Sequence, residues 1–372
     1  MTMRSSVALA LISGALFSGM PALAAPEAAR DRAPTAGVGA PASDRPGTTN
    51  PVKVTLPATR DEWVAVTRAA ALPRPLPMQS EVSPAIVKLQ IMLDRAHASP
   101  GVIDGHLGSN VAKAIAAFQA MRNLPVNGVL NQAIWDVLER ESAEPPLMTY
   151  AIKVEDVAGP FVPDMPKDYA ELATLYRLGY RGPVELLAEK FHMDEDLLRR
   201  LNPGATFQAP GETIVVADVR QKKPRAKVAR LVADKSTKQL LGYGGAGELV
   251  VAYPATIGSR DLPSPTGVHL VGAVAVNPEY WYRPAVNFQQ GDNTKALRIA
   301  PGPNNPVGSV WIGLDKPTYG IHGTPEPSRI DKTNSHGCIR LTNWDAEELV
   351  KLIEPGVPVE FLDGVEVTSA IR

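Results

Sequence analysis

The chain is organised around the stretch NSHGCIR at residues 334–340. Its Cys338 is the only cysteine among the 372 residues, so it cannot form a disulfide within the chain. His336 stands two residues before it, and a second histidine, His322, lies upstream within GIHGT at residues 320–324. A lone thiol with histidines nearby in sequence is typical of a cysteine nucleophile with an imidazole base.

The N-terminus has the pattern of a signal peptide, which we predict over residues 1–24. Arg4 supplies the positive charge, residues 7–17 form an apolar run too short to span a bilayer, and residues 22–24 (ALA) make a small-residue cleavage site. No second apolar segment of membrane-spanning length follows. We therefore expect an exported protein without a membrane span in the mature chain, with an uncleaved anchor as the alternative.

Charge and composition narrow the choice of partners. The formal net charge is -1, so nothing indicates binding to nucleic acid or to an anionic membrane surface. The basic patch at residues 220–225 is interpreted as a solvated linker. Residues 25–55 contain almost no large apolar residues, and we predict an alanine- and proline-rich disordered linker over residues 25–80.

Residues 81–142 have apolar positions at helical spacing, interrupted by turns at Asp104-Gly105 and Asn127-Gly128. Ser109 is the expected N-cap of the second of three predicted helices. The pattern predicts a small three-helix domain. Its inward faces are predicted to be Ile86, Leu89 and Leu93, then Val111, Ile115 and Phe118, then Ile134, Trp135 and Leu138.

The strings VKLQIMLDRA, GVIDGHLGSNVAKAIAAFQ and NGVLNQAIWDVL in this segment resemble, in order, the peptidoglycan-binding domain type 1 family. Two positions depart from that family: Leu107 stands where an aromatic residue is usual, and Asn127 where aspartate is usual. The resemblance implies a domain that binds peptidoglycan, or one that serves only as a spacer.

Residues 150–219 predict a strand, two helices and a closing strand. The first strand is expected at residues 150–154, Pro183 is expected in the first turn of a helix, and Asp194 is expected to cap the next helix. The strings VELLAEKFHMDEDLLRRLNPG and PGETIVV resemble a LysM module, although an insertion between Val157 and Pro183 departs from that compact pattern. This resemblance implies a ligand of glycan chains built on N-acetylglucosamine.

Residues 226–363 contain many short β-rich runs bounded by glycine, proline and aspartate, with one clear helix over residues 343–353 that begins at Asn343 as N-cap. This favours a mainly-β domain, closed or sandwich-like. The fold class predicted for the whole chain is multidomain α+β: a small three-helix domain, a LysM-like α/β module and a mainly-β domain.

The pair of motifs GIHGT and SHGC, with PSPTG and APGPNNPVGSVWIGL as supporting stretches, resembles the catalytic signature of the YkuD-type L,D-transpeptidase family (ErfK/YbiS/YcfS/YnhG-like) over residues 226–363. The resemblance implies that Cys338 is the nucleophile, that His322 donates and accepts the proton, and that the carbonyl of Gly323 orients the imidazole ring. It implies no cofactor.

The same resemblance implies the reaction and the partners. An acyl-thioenzyme would form on peptidoglycan tetrapeptide stems that contain meso-diaminopimelate, in the periplasm and in association with the cell wall. A second stem as acceptor would give 3→3 cross-links, and a lysine of an outer-membrane lipoprotein, a D-amino acid or water would give other products. Two alternatives stay open: an L,D-carboxypeptidase or amidase that hydrolyses stem peptides, and a wall-binding protein without activity.

Four further residues of the motif are candidates for the substrate or oxyanion pocket. Gly337 allows a tight turn, and N–H groups at Gly337 and Cys338 can stabilise an oxyanion. Ser335 is expected to form local hydrogen bonds that shape the loop. His336 is either a pocket wall or alternative base, or a structural histidine. Arg340 suits a substrate carboxylate, since its guanidinium group can form paired hydrogen bonds.

Arg340 has an alternative role in a salt bridge that holds the loop to Asp331 or Glu347. A zinc site is an alternative, since three or four nitrogen and sulfur ligands would suffice, but we predict no metal because structural zinc sites usually show closely spaced ligand pairs. The candidate ligands are His269, His322, His336 and Cys338. The remaining histidines, expected to be solvated, are His97, His106 and His192.

Overall fold

The computed structural model describes residues 56–221, 223–224, 226–259 and 262–363. They belong to one compact unit, Lys53–Arg372. The predicted signal peptide and the predicted linker up to residue 55 lie outside the described residues. Within the described ranges, no helix combines the length and the apolar character needed to cross a membrane.

The prediction of a disordered linker is wrong at its C-terminal end, where α1 (Arg60–Ala69) forms a helix. Thr59 and Glu62 form a capping box, which satisfies free N–H groups of the first turn. Trp63 is only 1% exposed. Burial of a tryptophan offsets the chain entropy of the helix, an effect that the alanine- and proline-rich composition of the segment concealed.

The three helices predicted next are present and pack around one apolar cluster. Gly108, rather than Ser109, is the N-cap of the second of them, so Ser109 is already a helical residue. The three helices are α2 (Pro84–Arg95), α3 (Ser109–Met121) and α4 (Gln132–Glu141).

The following region begins and ends with a strand, and the two strands pair antiparallel. Four helices lie between them in sequence. Asp194 caps the last helix, as predicted, by accepting hydrogen bonds from Asp196 N and Leu197 N. Val154 begins a helix rather than ending the first strand. The elements are β1 (Leu147–Ala151), α5 (Val154–Val157), α6 (Tyr169–Leu172), α7 (Pro183–Lys190), α8 (Glu195–Leu201) and β2 (Thr213–Ala217).

The C-terminal region is mainly β, as predicted. Its strands are β3 (Arg230–Asp234), β4 (Gln239–Tyr243), β5 (Leu249–Pro254), β6 (Thr256–Ile257), β7 (Gly267–Val276), β8 (Tyr280–Tyr282), β9 (Leu297–Ile299), β10 (Val310–Leu314), β11 (Gly320–His322), β12 (Ile339–Arg340) and β13 (Pro358–Leu362). Nine of them form one sheet in the order β5-β4-β3-β13-β7-β10-β11-β12-β6, and β8 pairs with β9. This sheet encloses the apolar core of the region together with one helix, α9 (Asn343–Val350).

The cap of α9 differs from the prediction. Thr342 is the N-cap, and its Oγ1 accepts a hydrogen bond from Asp345 N at 3.2 Å. Asn343 is the first helical residue, and the helix ends at Val350 rather than Ile353. The side chain of Asn343 is therefore not used for capping and is free to bond elsewhere.

The three regions are joined by backbone hydrogen bonds through one short segment after α2. Ala252 N on β5 donates to His97 O at 2.9 Å, and Ile103 N donates to His192 O at 2.8 Å. Trp63 also shares an apolar cluster with Leu187 and other residues of the second region. The helical region thus contacts both of the others as part of one folded body.

The insertion predicted between Val157 and Pro183 lies against the mainly-β region. We call residues 158–182 the bridging segment. Leu172 and Leu178 from this segment pack with Tyr282 and Ile299 in a separate apolar cluster. The insertion therefore carries its own hydrophobic contact with β8 and β9, next to the candidate site.

Candidate active site

The two motifs meet at neighbouring strands. β11 and β12 run parallel, with Ile321 opposite Ile339 and His322 opposite Arg340. The loop that precedes β12 carries Cys338. A pocket of about 270 Å³, called the catalytic pocket below, is lined by Ser335, His336, Cys338, His322 and Arg340 together with aromatic residues.

The thiol of Cys338 is half-buried and donates a hydrogen bond to Thr318 O over 3.6 Å. Burial raises the pKa of Cys338 to about 11, against the opposing effects of the Gly320 N–H and the Arg340 charge. The resting thiol is therefore protonated near neutral pH. A base must remove its proton before the sulfur can attack.

His322 lines the same pocket as Cys338. Its Nδ1 lies 2.7 Å from the carbonyl oxygen of Gly323. Since a carbonyl can only accept, Nδ1 carries the hydrogen and Nε2 keeps a free lone pair. Burial, followed by the charge of Arg340, lowers the pKa of His322 to about 3, so the ring is neutral and able to accept a proton.

The loop that presents Cys338 is fixed by Ser335 and Gly337. Ser335 Oγ donates to Cys338 O at 2.6 Å and accepts from Gly258 N at 2.7 Å. Gly337 has a φ of 104°, and a Cβ there would lie 2.6 Å from Cε1 of Tyr319. Any other residue would be strained at this position and would clash with the tyrosine ring.

His336 lies at the edge of the pocket. It is exposed, and its ring stacks on Phe288 with 3.7 Å between centroids. Burial and the charge of Arg340 both lower the pKa of His336.

Arg340 does not form either of the salt bridges considered from the sequence. Asp331 pairs instead with Lys113 at 2.5 Å and with Lys238 at 3.2 Å, and Glu347 accepts a hydrogen bond from Ser309. The Nε atom of Arg340 is buried, with no hydrogen-bond partner among the described residues. Arg340 therefore lines the pocket with one hydrogen-bond donor that no described residue uses.

His269 contacts Asp315 over 2.8 Å instead of taking part in a ligand set. Within the part of the chain that the structure describes, no group of three or more histidine, cysteine, aspartate or glutamate side chains could hold a metal ion.

Sequence reasoning missed Asn343, which braces the histidine loop. Its Oδ1 accepts hydrogen bonds from Ser309 N and Thr324 N, both at 3.1 Å. Its Nδ2 donates to Glu189 Oε2 at 3.0 Å. A Cβ on Gly323 would lie 2.2 Å from Asn343 Oδ1, so the glycine admits this contact. The only sequence signal was an asparagine directly after the threonine that caps α9.

Glu189 lies on α7, so the second region reaches the loop that orients His322. The carboxyl group of Glu189 is buried, and burial raises its pKa to about 8 although Asn343 acts in the opposite direction. Buried carboxyl groups are favoured in the neutral form unless a cation compensates them. We call this hydrogen-bonded pair, Glu189 and Asn343, the α7–α9 contact.

Two histidines expected to be solvated lie instead between regions. His97 Nδ1 is 2.7 Å from Glu348 Oε1, and His192 Nδ1 is 3.1 Å from Asp94 Oδ1. His192 also stacks on Trp344, with 5.1 Å between ring centroids. The prediction was wrong for both because their partners are distant in sequence.

Comparison with known families defines two parts of the chain. Residues 229–361 match the YkuD family, described as the L,D-transpeptidase catalytic domain, and residues 82–138 match the peptidoglycan binding domain. The chain therefore carries an L,D-transpeptidase catalytic domain and a peptidoglycan-binding domain, which confirms these two resemblances. The resemblance of residues 150–219 to a LysM module stays a prediction.

Several individual proteins that the chain resembles are also named as L,D-transpeptidases. A protein of Bacillus licheniformis named as L,D-transpeptidase YkuD is 28% identical over 187 residues, which is 50% of this chain and 96% of the relative. One of Escherichia coli K12 named as L,D-transpeptidase YbiS is 27% identical over 192 residues, which is 50% of this chain and 61% of the relative. The match to the crystal structure of L,D-transpeptidase 3 from Mycobacterium tuberculosis covers 41% of this chain and 76% of that one, at 16% identity and a TM-score of 0.31.

Proposed function

We propose that this protein is a cysteine-dependent L,D-transpeptidase that acts on peptidoglycan tetrapeptide stems through an acyl-thioenzyme. The observation that carries the proposal is the hydrogen bond of His322 Nδ1 to Gly323 O at 2.7 Å, in the pocket that also holds Cys338. It leaves Nε2 as the base for the only thiol of the chain. The two matched domains support peptidoglycan as substrate.

In the first half-reaction, His322 Nε2 takes the proton of Cys338 while the sulfur attacks the carbonyl at the L-centre of meso-diaminopimelate. The C–N bond to D-alanine then breaks, and the proton passes from His322 to the departing amine. The pKa of Cys338 near 11 and that of His322 near 3 favour a neutral thiol and imidazole at rest, so general-base catalysis supplies the nucleophile.

Arg340 and the loop N–H groups stabilise the charge that develops. The positive charge of Arg340 lowers the pKa of Cys338, which means that it favours the thiolate. Backbone N–H groups at Gly337 and Cys338 serve the oxyanion, as donors held in place by the turn at Gly337. The guanidinium group of Arg340, which lines the pocket, also suits a carboxylate of the substrate stem.

In the second half-reaction, an amine attacks the thioester, the C–S bond breaks, and His322 relays the proton from the amine to the sulfur. A second stem gives a 3→3 cross-link, whereas a lipoprotein lysine or a D-amino acid gives attachment or exchange. We also propose that the protein is exported to the periplasm, and that residues 150–219 contribute a LysM-like glycan-binding module.

Mass spectrometry of muropeptides tests this function. The purified chain, given tetrapeptide stems, should release D-alanine and form cross-linked dimers, and a carbapenem should add to Cys338. Cys338→Ala should lose both the adduct and turnover. Free tripeptide as the only product would identify a hydrolase instead, and a wild-type protein that forms no adduct and leaves stems intact would show a wall-binding protein without activity.

A further inference from the structure

A second, larger cavity lies beside the catalytic pocket. Its volume is about 640 Å³, and it is lined by residues of all three regions, including Val102 after α2, Lys167 in the bridging segment, Asp196 on α8 and Ser328 after β11. Tyr169, Pro306 and Arg340 line both this cavity and the catalytic pocket. We call it the inter-region cavity. Its size falls within the range of natural ligand sites.

Tyr169, which lines both spaces, is held in place by several contacts. Tyr169 N donates to Gln290 Oε1 at 3.1 Å. The Tyr169 ring makes an edge-to-face contact with Tyr282, with 5.1 Å between centroids. Leu178 N, further along the bridging segment, donates to Pro301 O at 2.9 Å. The bridging segment is therefore part of the active-site wall, and the inter-region cavity is a built feature of the fold.

The inter-region cavity offers unpaired charges of both signs. Lys167 and Asp196 are exposed, and the side chain of neither forms an ion pair or hydrogen bond with another described residue. Arg340 adds a buried Nε without a partner in the described part of the chain. A ligand that carries an ammonium and a carboxylate group would complement this arrangement.

We propose that the inter-region cavity binds the acceptor of the second half-reaction, namely the zwitterionic end of a second peptide stem. This inference rests on the proposed function. The amine passes Tyr169 and Arg340 to reach the thioester at Cys338, where its nitrogen bonds to the carbonyl carbon and the C–S bond breaks. His322 takes the proton from the amine and returns it to the sulfur, so no other reactant is needed.

Assembly of this cavity from three regions has a consequence for the accessory regions. They contribute the acceptor side of the active site, in addition to any affinity for the wall. Water needs no such site, so damage to the cavity shifts the outcome from transfer towards hydrolysis.

The test measures how the thioester partitions. The full chain receives a tetrapeptide donor and an isotope-labelled tripeptide stem, which can accept but has no D-alanine to lose. Mass spectrometry then gives the ratio of labelled dimer to unlabelled tripeptide, which is independent of the amount of acylated enzyme. The variants are Asp196→Lys and Lys167→Glu, on different regions, with Glu354→Lys as control. Glu354 is exposed and lines neither space.

The ratio should fall about fivefold in each cavity variant, as expected when a charge contact is reversed, and should match the wild type in the control. An unchanged ratio in both cavity variants would overturn the proposal, and so would an equal fall in the control. If the wild type forms dimers and the cavity variants give the same ratio, only the role of the cavity as acceptor site is refuted. Absence of any acyl adduct in the wild type refutes the proposed function as well.

Discussion

The catalytic pocket and the α7–α9 contact both bury a titratable group, but only the catalytic pocket has a recognisable sequence motif. His322 is 4% exposed, and burial lowers its pKa to about 3. Glu189 is 9% exposed, and burial raises its pKa to about 8. Both groups are neutral in the folded state. Burial disfavours the charged form of each group, which lowers the pKa of the base His322 and raises the pKa of the acid Glu189. Their contributions to stability therefore depend on pH in opposite directions.

Replacement of the base should have the largest effect. His322→Gln removes the lone pair that accepts the thiol proton, and we expect the rate of D-alanine release to fall by about 10²- to 10⁴-fold, the usual contribution of a general base. The measurement is initial rate with a tetrapeptide donor at saturating concentration.

His336→Gln is the matched control, because His336 is exposed and stacks on Phe288 at the pocket edge. It should keep most of the activity. Equal losses in the two variants would mean that His336, and not His322 alone, handles the proton.

The α7–α9 contact should have the next largest effect, through the position of the histidine loop. Glu189→Ala removes the carboxyl acceptor of Asn343 Nδ2 and leaves only Pro303 O as its partner among the described residues. Asn343 in turn holds Thr324 N beside Gly323. We expect kcat to fall about tenfold with little change in KM, because the base is displaced while the substrate pocket persists.

Glu189→Gln separates this positioning role from general packing. The amide keeps one oxygen that can accept from Asn343, so kcat should return close to the wild-type value. An equal rise of KM in both variants, with kcat preserved, would indicate that Glu189 shapes the substrate site instead.

The contrast between the two regions also shows what the sequence could predict. Cys338 and His322 lie within short motifs, so their meeting in one pocket could be anticipated from the family resemblance, as could the contact of His322 with Gly323 O. Glu189 and Asn343 are 154 residues apart, and each alone resembles an ordinary helical residue. The same holds for His192, which was expected in solvent and lies against Asp94 and Trp344.

The predictions of two helix N-caps from local residue preferences were also wrong. Ser109 and Asn343 are good capping residues, yet Gly108 and Thr342 precede them and serve as caps. The choice between adjacent candidates depends on which residue is extended in the folded chain. The bridging segment could not be placed at all, since only the fold shows that Tyr169 reaches the catalytic pocket.

Loss of the Arg340 charge should produce a smaller effect on the pocket chemistry. Arg340 lowers the pKa of Cys338, so Arg340→Gln should raise the pKa of the thiol. The rate of alkylation by iodoacetamide is measured as a function of pH. The midpoint of this pH profile should lie at a higher pH in the variant than in the wild type. The control is Arg329→Gln, because Arg329 is exposed and pairs with Glu326. A shift to lower pH in the Arg340 variant would contradict this electrostatic role.

The smallest effect concerns stability. The pKa of Glu189 is raised from 4.5 to about 8 and that of Asp345 from 3.8 to about 7, both mainly by burial, so their stabilising contribution is complete at low pH and is lost as pH rises through those values. His322 acts in the opposite sense, since its contribution is complete above pH 6.5 and is lost as pH falls towards about 3. Between pH 6.5 and pH 8 the two carboxyl groups titrate while His322 stays neutral.

In that window the free energy of unfolding, measured with urea, should decrease as pH rises. Glu189→Gln should flatten the decrease by on the order of 1–2 kcal/mol, because the amide cannot ionise while it keeps the hydrogen bond to Asn343. His322→Gln should leave the slope in this window unchanged and alter it only at lower pH. If the two variants changed the slope in the same pH range, His322 and Glu189 would not have opposite effects on the pH dependence of stability, and this prediction would be wrong.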